Sequence, residues 1–480
     1  MMMPVVRRLT LAVCLLSCGL FTPPVHAHDG AKFEPPDGTV LHGAGQHQQA
    51  YDDYTAALGD PALQPFITKD YIAVWDRWPM QWLNGAITWA QLQTLYFDPL
   101  RDWLDDQRGL MPEISVGYAK YMGVFGDQVI PTGVLDPVIV ELAHIIRDFD
   151  GPCFVRPGFE PSTLKYTPGT PYISTYRRIV DMFRAEGVEN AAYVWCCGPS
   201  GGPQMATEGM WFPGDAYVDW VGVDLFTTQS FEPAPGSSLP YADSLWYMLE
   251  LADAWKKPVI LSETSAVLPG GISDPSPGAG QAYWDAWFGP IFELIASEPR
   301  IKAFCYINWD WPAEGFMQWA DAQIQNNPTL VGLIADELQH PRYLHAPTPG
   351  KFPRPWLTEA GQQTLVGGPG MVILENADPT PGSFMRFGFS LTKLVQPGTP
   401  GFLDNDYGVF LPGLDQPWFL GPLGVLTPPV PIPPDGRLPL PFSVPNDPMF
   451  AGLTYYIAAA VFDAGGGVSL TQPFELTIAP

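Results

Sequence analysis

Two glutamates stand where a pair of carboxylates can work together. Arg156-Pro157-Gly158-Phe159-Glu160 ends an apolar run that starts at Cys153, and Val259-Ile260-Leu261-Ser262-Glu263 ends another. Cleaving a glycosidic bond needs such a pair: one acid protonates the leaving oxygen, and one carboxylate attacks the sugar or activates water. A single glutamate after a strand is an ordinary loop residue; two closing matched apolar strands make a joint case. Asp224 closes a third run, Trp220–Leu225, where it either touches substrate or anchors a loop.

Other patterns carry less. Gly198-Pro199-Ser200-Gly201-Gly202 fits G-x-S-x-G, but a nucleophile elbow leads directly into a helix, and the Pro-Gln-Met that follows does not. Its histidine partner would have to be His340 or His345. Asp404-Asn405-Asp406 lacks the remainder of a calcium loop. Cys153, Cys196, Cys197 and Cys305 match no zinc spacing and are too few for a disulfide scaffold, so they read as buried strand residues. No cofactor or metal motif is present in the sequence.

The elements that must position the glutamates repeat eight times. Short apolar runs at Thr39–Gly43, Tyr71–Trp75, Pro112–Val116, Cys153–Phe159, Ala192–Cys196, Trp220–Leu225, Val259–Ser262 and Ala303–Asn308 alternate with helical patterns. Continuous rather than alternating apolarity marks strands buried on both faces. Asp136-Pro137 and Thr170-Pro171 are helix starts, and Gly187 is a helix stop. The order predicts an α/β chain of the (β/α)8 TIM-barrel class, with Glu160 and Glu263 closing the fourth and seventh strands at the mouth. A doubly wound open sheet is the alternative, but His42-Gly43-Ala44-Gly45-Gln46 lacks the dinucleotide fingerprint.

The middle of the chain resembles glycoside hydrolase family 26, the β-mannanase family of barrel-fold retaining glycosidases. The resemblance rests on Phe154–Glu160, on Arg177–Arg184 with Gly187, Asn190 and Val194-Trp195, on Phe212–Asp215 with Val218–Asp224, and on Lys257-Pro258-Val259 before Glu263. It spans roughly residues 35–320 and implies Glu160 as acid/base, Glu263 as nucleophile and Arg156 beneath the site holding a carboxylate. Trp195, Trp309 and Trp311 would line sugar subsites, as would Trp75 and Trp78. Two positions depart from the family: Phe159 stands where it has histidine before the acid/base, and Phe226 where it has a tyrosine that bonds the nucleophile. Arg156 is then the candidate donor to Glu263. The expected activity is retaining hydrolysis of a β-linked, mannan-like polysaccharide. A related barrel glycosidase acting on xylan or mixed-linked glucan is the alternative within the class, and a non-catalytic carbohydrate-binding barrel the alternative outside it.

Composition agrees. A net charge of −26 would repel nucleic acid, whereas 17 Trp, 19 Tyr and 27 Phe suit a neutral sugar partner. Residues 1–27 read as an export signal, with Arg7 and Arg8 before an apolar stretch and Val25-His26-Ala27 as the cleavage site; a lipid anchor at Cys18 is the rival route. The expected location is outside the cytoplasm: secreted, periplasmic or on the cell surface. No segment is long enough to span a membrane. After a barrel over 28–345, a Pro-rich linker with a short helix is expected at 346–369, then a small β-sandwich-like domain over 370–480.

Overall fold

The structure is a computed structural model. It describes residues 31–346, apart from 36–37, 150, 162–164, 199–210, 232–244, 268–270 and 318, and beyond them strands and short segments between 356 and 477. Residues 1–27 with Cys18, Ser200 and the Asp404–Asp406 run lie outside the described residues.

Eight parallel strands close on themselves: β1 (Val40–Gly45), β2 (Ile67–Ala73), β3 (Met111–Gly117), β4 (Cys153–Pro157), β5 (Ala191–Cys197), β6 (Trp220–Leu225), β7 (Val259–Thr264) and β8 (Ile301–Ile307). β8 pairs with β1 from Leu41↔Ala303 to Gly45↔Ile307, and Gly43↔Ile67 joins β1 to β2. This is the predicted TIM barrel. All eight strands appear, but β2 begins four residues earlier than its apolar run.

Helices shield the outside. Asp136–Phe149 turns Val138, Ile139, Leu142, Ile145, Ile146 and Phe149 inward as one apolar stripe. Thr170–Ala185 does the same with Tyr172, Ile173, Tyr176, Ile179, Val180 and Phe183, and Gly187 ends it at φ +78°.

The strands sort their side chains by parity. In β5, Tyr193, Trp195 and Cys197 face the helices, while Ala192, Val194 and Cys196 face the barrel axis. The lower interior is apolar, with Leu41, Ile67, Met111, Phe154, Ile260 and Ala303. Glycines appear where strands crowd: a Cβ on Gly43 would lie 2.5 Å from Cys305 Sγ. Cys153, Cys196, Cys197 and Cys305 are free and buried, as expected.

Beyond the barrel the described segments are antiparallel β. Trp356–Glu359 pairs with Pro369–Glu375, which pairs with Leu438–Ser443. Phe384–Ser390 pairs with Thr454–Phe462, which also takes Val468–Leu470 and Phe474–Thr477. The short helix expected from Trp356 is instead the strand Trp356–Glu359: a neighbouring strand supplies hydrogen bonds that outweigh weak local propensity. Among the described residues no single helix is long and apolar enough to cross a membrane.

Candidate active site

Above the apolar floor the barrel interior becomes charged. Lys69 from β2, Glu113 from β3 and Arg156 from β4 are each fully buried, and Asp224 from β6 and Glu263 from β7 join them. Burying an ion is costly unless it is paired, and here each cation has two or more carboxylates. Lys69 Nζ donates to Ser262 O at 2.7 Å and lies 3.4 Å from Glu113 Oε2 and 3.6 Å from Glu263 Oε1. Arg156 donates to Ser115 Oγ at 2.9 Å, to Asp224 Oδ1 at 3.1 Å and to Glu263 Oε1. Arg156 thus holds two carboxylates, Asp224 and Glu263.

Each site carboxylate has its own means of support. Glu160 lies on a tight turn: Gly158 has φ +59° and Glu160 itself φ +51°. Only glycine fits at 158, because a Cβ would lie 2.2 Å from the Tyr118 hydroxyl. A left-handed glutamate costs about 1–2 kcal/mol, and the fold holds it there through Gly158 N to Val116 O and Glu160 N to Cys196 O, both 2.9 Å. Its side chain is half-buried, and Lys165 Nζ donates to Oε2 at 2.8 Å.

Glu263 reaches the mouth through a bulge. Leu261 pairs with Val223 and Glu263 with Asp224, so Ser262 is an extra residue in β7. The β8 side shows the same slip between Leu261 and Thr264. Strict alternation from inward Ile260 would send Ser262 inward and Glu263 outward; the added residue re-aims Glu263 to the axis. Its carboxylate takes a hydrogen bond from the Tyr71 hydroxyl at 2.7 Å.

The electrostatics separate the two buried acids. Burial acts to raise Glu263, but the Arg156 and Lys69 charges and hydrogen bonds from Arg156 and Tyr71 outweigh it and hold the carboxyl at about 2. Asp224 goes the other way: burial, then the Glu263 charge, push it well above the usual carboxylate range despite Arg156. Glu263 is therefore the stronger acid of the two, and Asp224 the one that takes a proton first as pH falls. The Cys196 thiol lies 3.2 Å from Asp224 Oδ1.

The tryptophans divide. Trp309 is half-buried at the mouth, against His47 at 5.6 Å and Trp311 at 4.9 Å between ring centroids. Trp311 is 3% exposed and spends its indole N–H on Ser265 Oγ at 2.8 Å, so it backs Trp309. Phe226 and Trp319 complete that cluster, with ring centroids 4.6 Å apart. After β2, Trp78 lies under the Arg77 guanidinium at 4.7 Å, and Trp75 donates to Val124 O at 3.1 Å. Trp195 is a correction. It is fully buried among Phe212 and Trp255 in the helix layer, because its parity in β5 points away from the axis, and it cannot line a sugar subsite.

Lys69, Tyr71, Glu113 and Lys165 were not singled out in the sequence. The signal was parity: Ile67, Lys69 and Tyr71 share one face of β2, and Met111, Glu113 and Ser115 share one face of β3. Polar residues on the inward face of a barrel strand mark the level of the site.

No family model matches the chain. It is 24% identical over 375 residues to a β-1,3-xylanase of a Vibrio species, covering 70% of this chain and 72% of that protein. It is likewise 24% identical over 375 residues to a β-1,3-xylanase of an Alcaligenes species, covering 71% of each. Solved structures similar to it include a modular endo-β-1,4-mannanase from Cellulomonas fimi, described as a glycoside hydrolase family 26 mannanase, at 17% identity and TM-score 0.46 over 91% of this chain and 94% of that one. A family 26 β-mannanase from Bacteroides ovatus matches at 18% identity and TM-score 0.43, over 66% and 92%. With the family segments read in its sequence and a closed barrel behind them, the chain is a glycoside hydrolase similar to those of family 26.

Proposed function

We propose that the chain is an exported, endo-acting retaining glycosidase that cleaves a β-linked polysaccharide by double displacement, with Glu160 as acid/base and Glu263 as nucleophile. The observation that carries this reading is the carboxylate spacing: one oxygen from each of Glu160, Asp224 and Glu263 lies within 4.8 Å of the others. Retaining enzymes hold their two carboxyl groups about 5–5.5 Å apart, whereas inverting enzymes need about 6.5–9.5 Å to admit a water. Glu263, ionised at any ordinary pH, attacks the anomeric carbon while Glu160 gives its proton to the departing oxygen. Glu160 then takes a proton from water, whose oxygen displaces Glu263 and restores the free carboxylate.

Trp309 and Trp78 keep faces at the mouth on which sugar rings stack. A xylan stands ahead of a mannan as substrate, because the two curated relatives are described as β-1,3-xylanases over more than two thirds of their length. The test is reducing-end release from β-1,3-xylan, β-1,4-xylan, β-mannan and mixed-linked glucan, with proton NMR of the first-formed anomer. An inverted anomer removes Glu263 as nucleophile. Binding to any of the four without release of reducing ends would establish the non-catalytic alternative. The export reading rests on the leader and is tested by sequencing the N-terminus of protein recovered outside the cytoplasm.

A further inference from the structure

All three donors described around Glu263 converge on one of its oxygens. The Tyr71 hydroxyl lies 2.7 Å from Oε1, Lys69 Nζ lies 3.6 Å from Oε1, and the Arg156 guanidinium donates to Oε1. None of the described hydrogen bonds goes to Oε2. A carboxylate held in this way is asymmetric: Oε1 carries the stabilised charge, and Oε2 keeps its lone pairs for another partner.

Of the three donors Tyr71 is the one placed to set orientation. Lys69 and Arg156 are shared with Glu113 and Asp224, so their positions answer to several carboxylates. Tyr71 has one proton and two oxygens to give it to, Glu263 Oε1 and Gln46 Oε1 at 2.9 Å. An ionised carboxylate is the stronger acceptor, which directs the proton to Glu263. The ring is fixed from several sides: the Arg156 guanidinium lies 5.7 Å and the Lys69 ammonium 5.5 Å from its centroid, with the edge of Phe159 at 5.5 Å. With the phenol proton on Glu263, Gln46, just after β1, holds the hydroxyl by turning its amide N–H toward it.

We propose that Tyr71, steadied by Gln46, is a positioning residue that binds Glu263 Oε1 and leaves Oε2 as the attacking oxygen. The proposal rests on Glu263 being the nucleophile. In the first step Oε2 forms the bond to the anomeric carbon as the glycosidic bond breaks and the leaving oxygen takes the proton of Glu160. In the second, water supplies the oxygen and returns a proton to Glu160, the Oε2–carbon bond breaks, and its electrons return to the carboxylate, where the Tyr71 proton meets the charge at Oε1. Tyr71 is therefore required most when Glu263 leaves.

The experiment uses the full chain with 2-deoxy-2-fluoro-β-xylobiosyl and 2-deoxy-2-fluoro-β-mannobiosyl fluorides as probes, and peptide mapping of the labelled residue. Label on Glu263 in the wild type upholds the nucleophile reading; label elsewhere, or none, overturns it and the Tyr71 proposal with it. With Glu263 labelled, Tyr71→Phe is expected to lower kcat on the best polysaccharide on the order of 100-fold, the usual effect of losing one preorganised donor. It is also expected to slow reactivation of the labelled enzyme and to move the acid limb of kcat/KM to higher pH. Gln46→Leu, which leaves the phenol in place, is expected to do the same more weakly. Label on Glu263 together with an unmoved acid limb and an unchanged reactivation rate in Tyr71→Phe overturns the positioning role and leaves the nucleophile reading intact.

Discussion

Replacing Arg156 with methionine keeps the side-chain volume and removes the cation that three buried carboxylates share. Arg156 is fully buried and lies 3.1 Å from Asp224 Oδ1 and 3.5 Å from Glu113 Oε1, besides its bond to Glu263. Removing one partner of a buried pair costs about 3–5 kcal/mol, because the remaining charge has no water to return to. At about 2 °C per kcal/mol for a domain of this size, the melting temperature at pH 7 should fall by roughly 6–10 °C. The pH dependence follows from Glu263. Its folded value of about 2 lies below its ordinary value. A depressed carboxylate contributes stability above its unfolded pKa and loses it as pH falls through the folded one, here a window from about 4.3 down to 2 and a contribution of about 3 kcal/mol. Arg156 is the largest source of that depression, so Arg156→Met should already lack most of this contribution, and its melting deficit should narrow between pH 7 and pH 3. Asp224, raised in the fold, has the opposite sign: its contribution is present at low pH and is lost as pH rises through its folded value, so it does not produce an acid loss. Circular dichroism melts at the two pH values measure this directly. A deficit below about 2 °C at pH 7, or one of equal size at pH 3, would refute the account of the buried network.

Glu160→Gln and Glu263→Gln should each reduce turnover by several powers of ten; the melting temperature should hold in Glu160→Gln and fall by roughly 6 °C in Glu263→Gln, which takes its charge from Arg156 and Lys69, and a Glu263→Gln enzyme of near wild-type rate removes that residue from the mechanism. Trp309→Ala should raise KM for polysaccharide with little loss of stability. Trp195→Ala should instead cost about 3–5 kcal/mol in denaturant unfolding through the cavity it leaves, with KM of the folded fraction unaltered; a KM effect there would overturn its assignment to the helix layer. A chain truncated near Pro349 should keep its specific activity on soluble substrate, and a folded but inactive barrel would show that the C-terminal strands serve catalysis.

The sequence by itself determined the barrel and the strand ends that carry Glu160, Asp224 and Glu263. Continuous apolar runs announce strands covered on both faces, and Pro and Gly mark helix ends by local backbone chemistry, so these features are legible without knowing what packs against them. The two glutamates were legible for the same reason: each directly ends an apolar run. Strand β2 was displaced in the reading because Lys69 and Tyr71 are polar, and a polar residue buried inside a barrel is indistinguishable in sequence from one exposed to water. Trp195 was assigned to the wrong side because a run apolar on both faces does not reveal which parity faces the axis. Only the tertiary structure decided those sides, through the closure of β8 on β1 and the extra residue Ser262 that turns Glu263 inward. It alone brought Tyr71, 192 residues away in sequence, to within 2.7 Å of Glu263. Local sequence fixes where a chain extends or coils; which charges then meet depends on how strands align across the barrel, and that register is a property of the closed sheet.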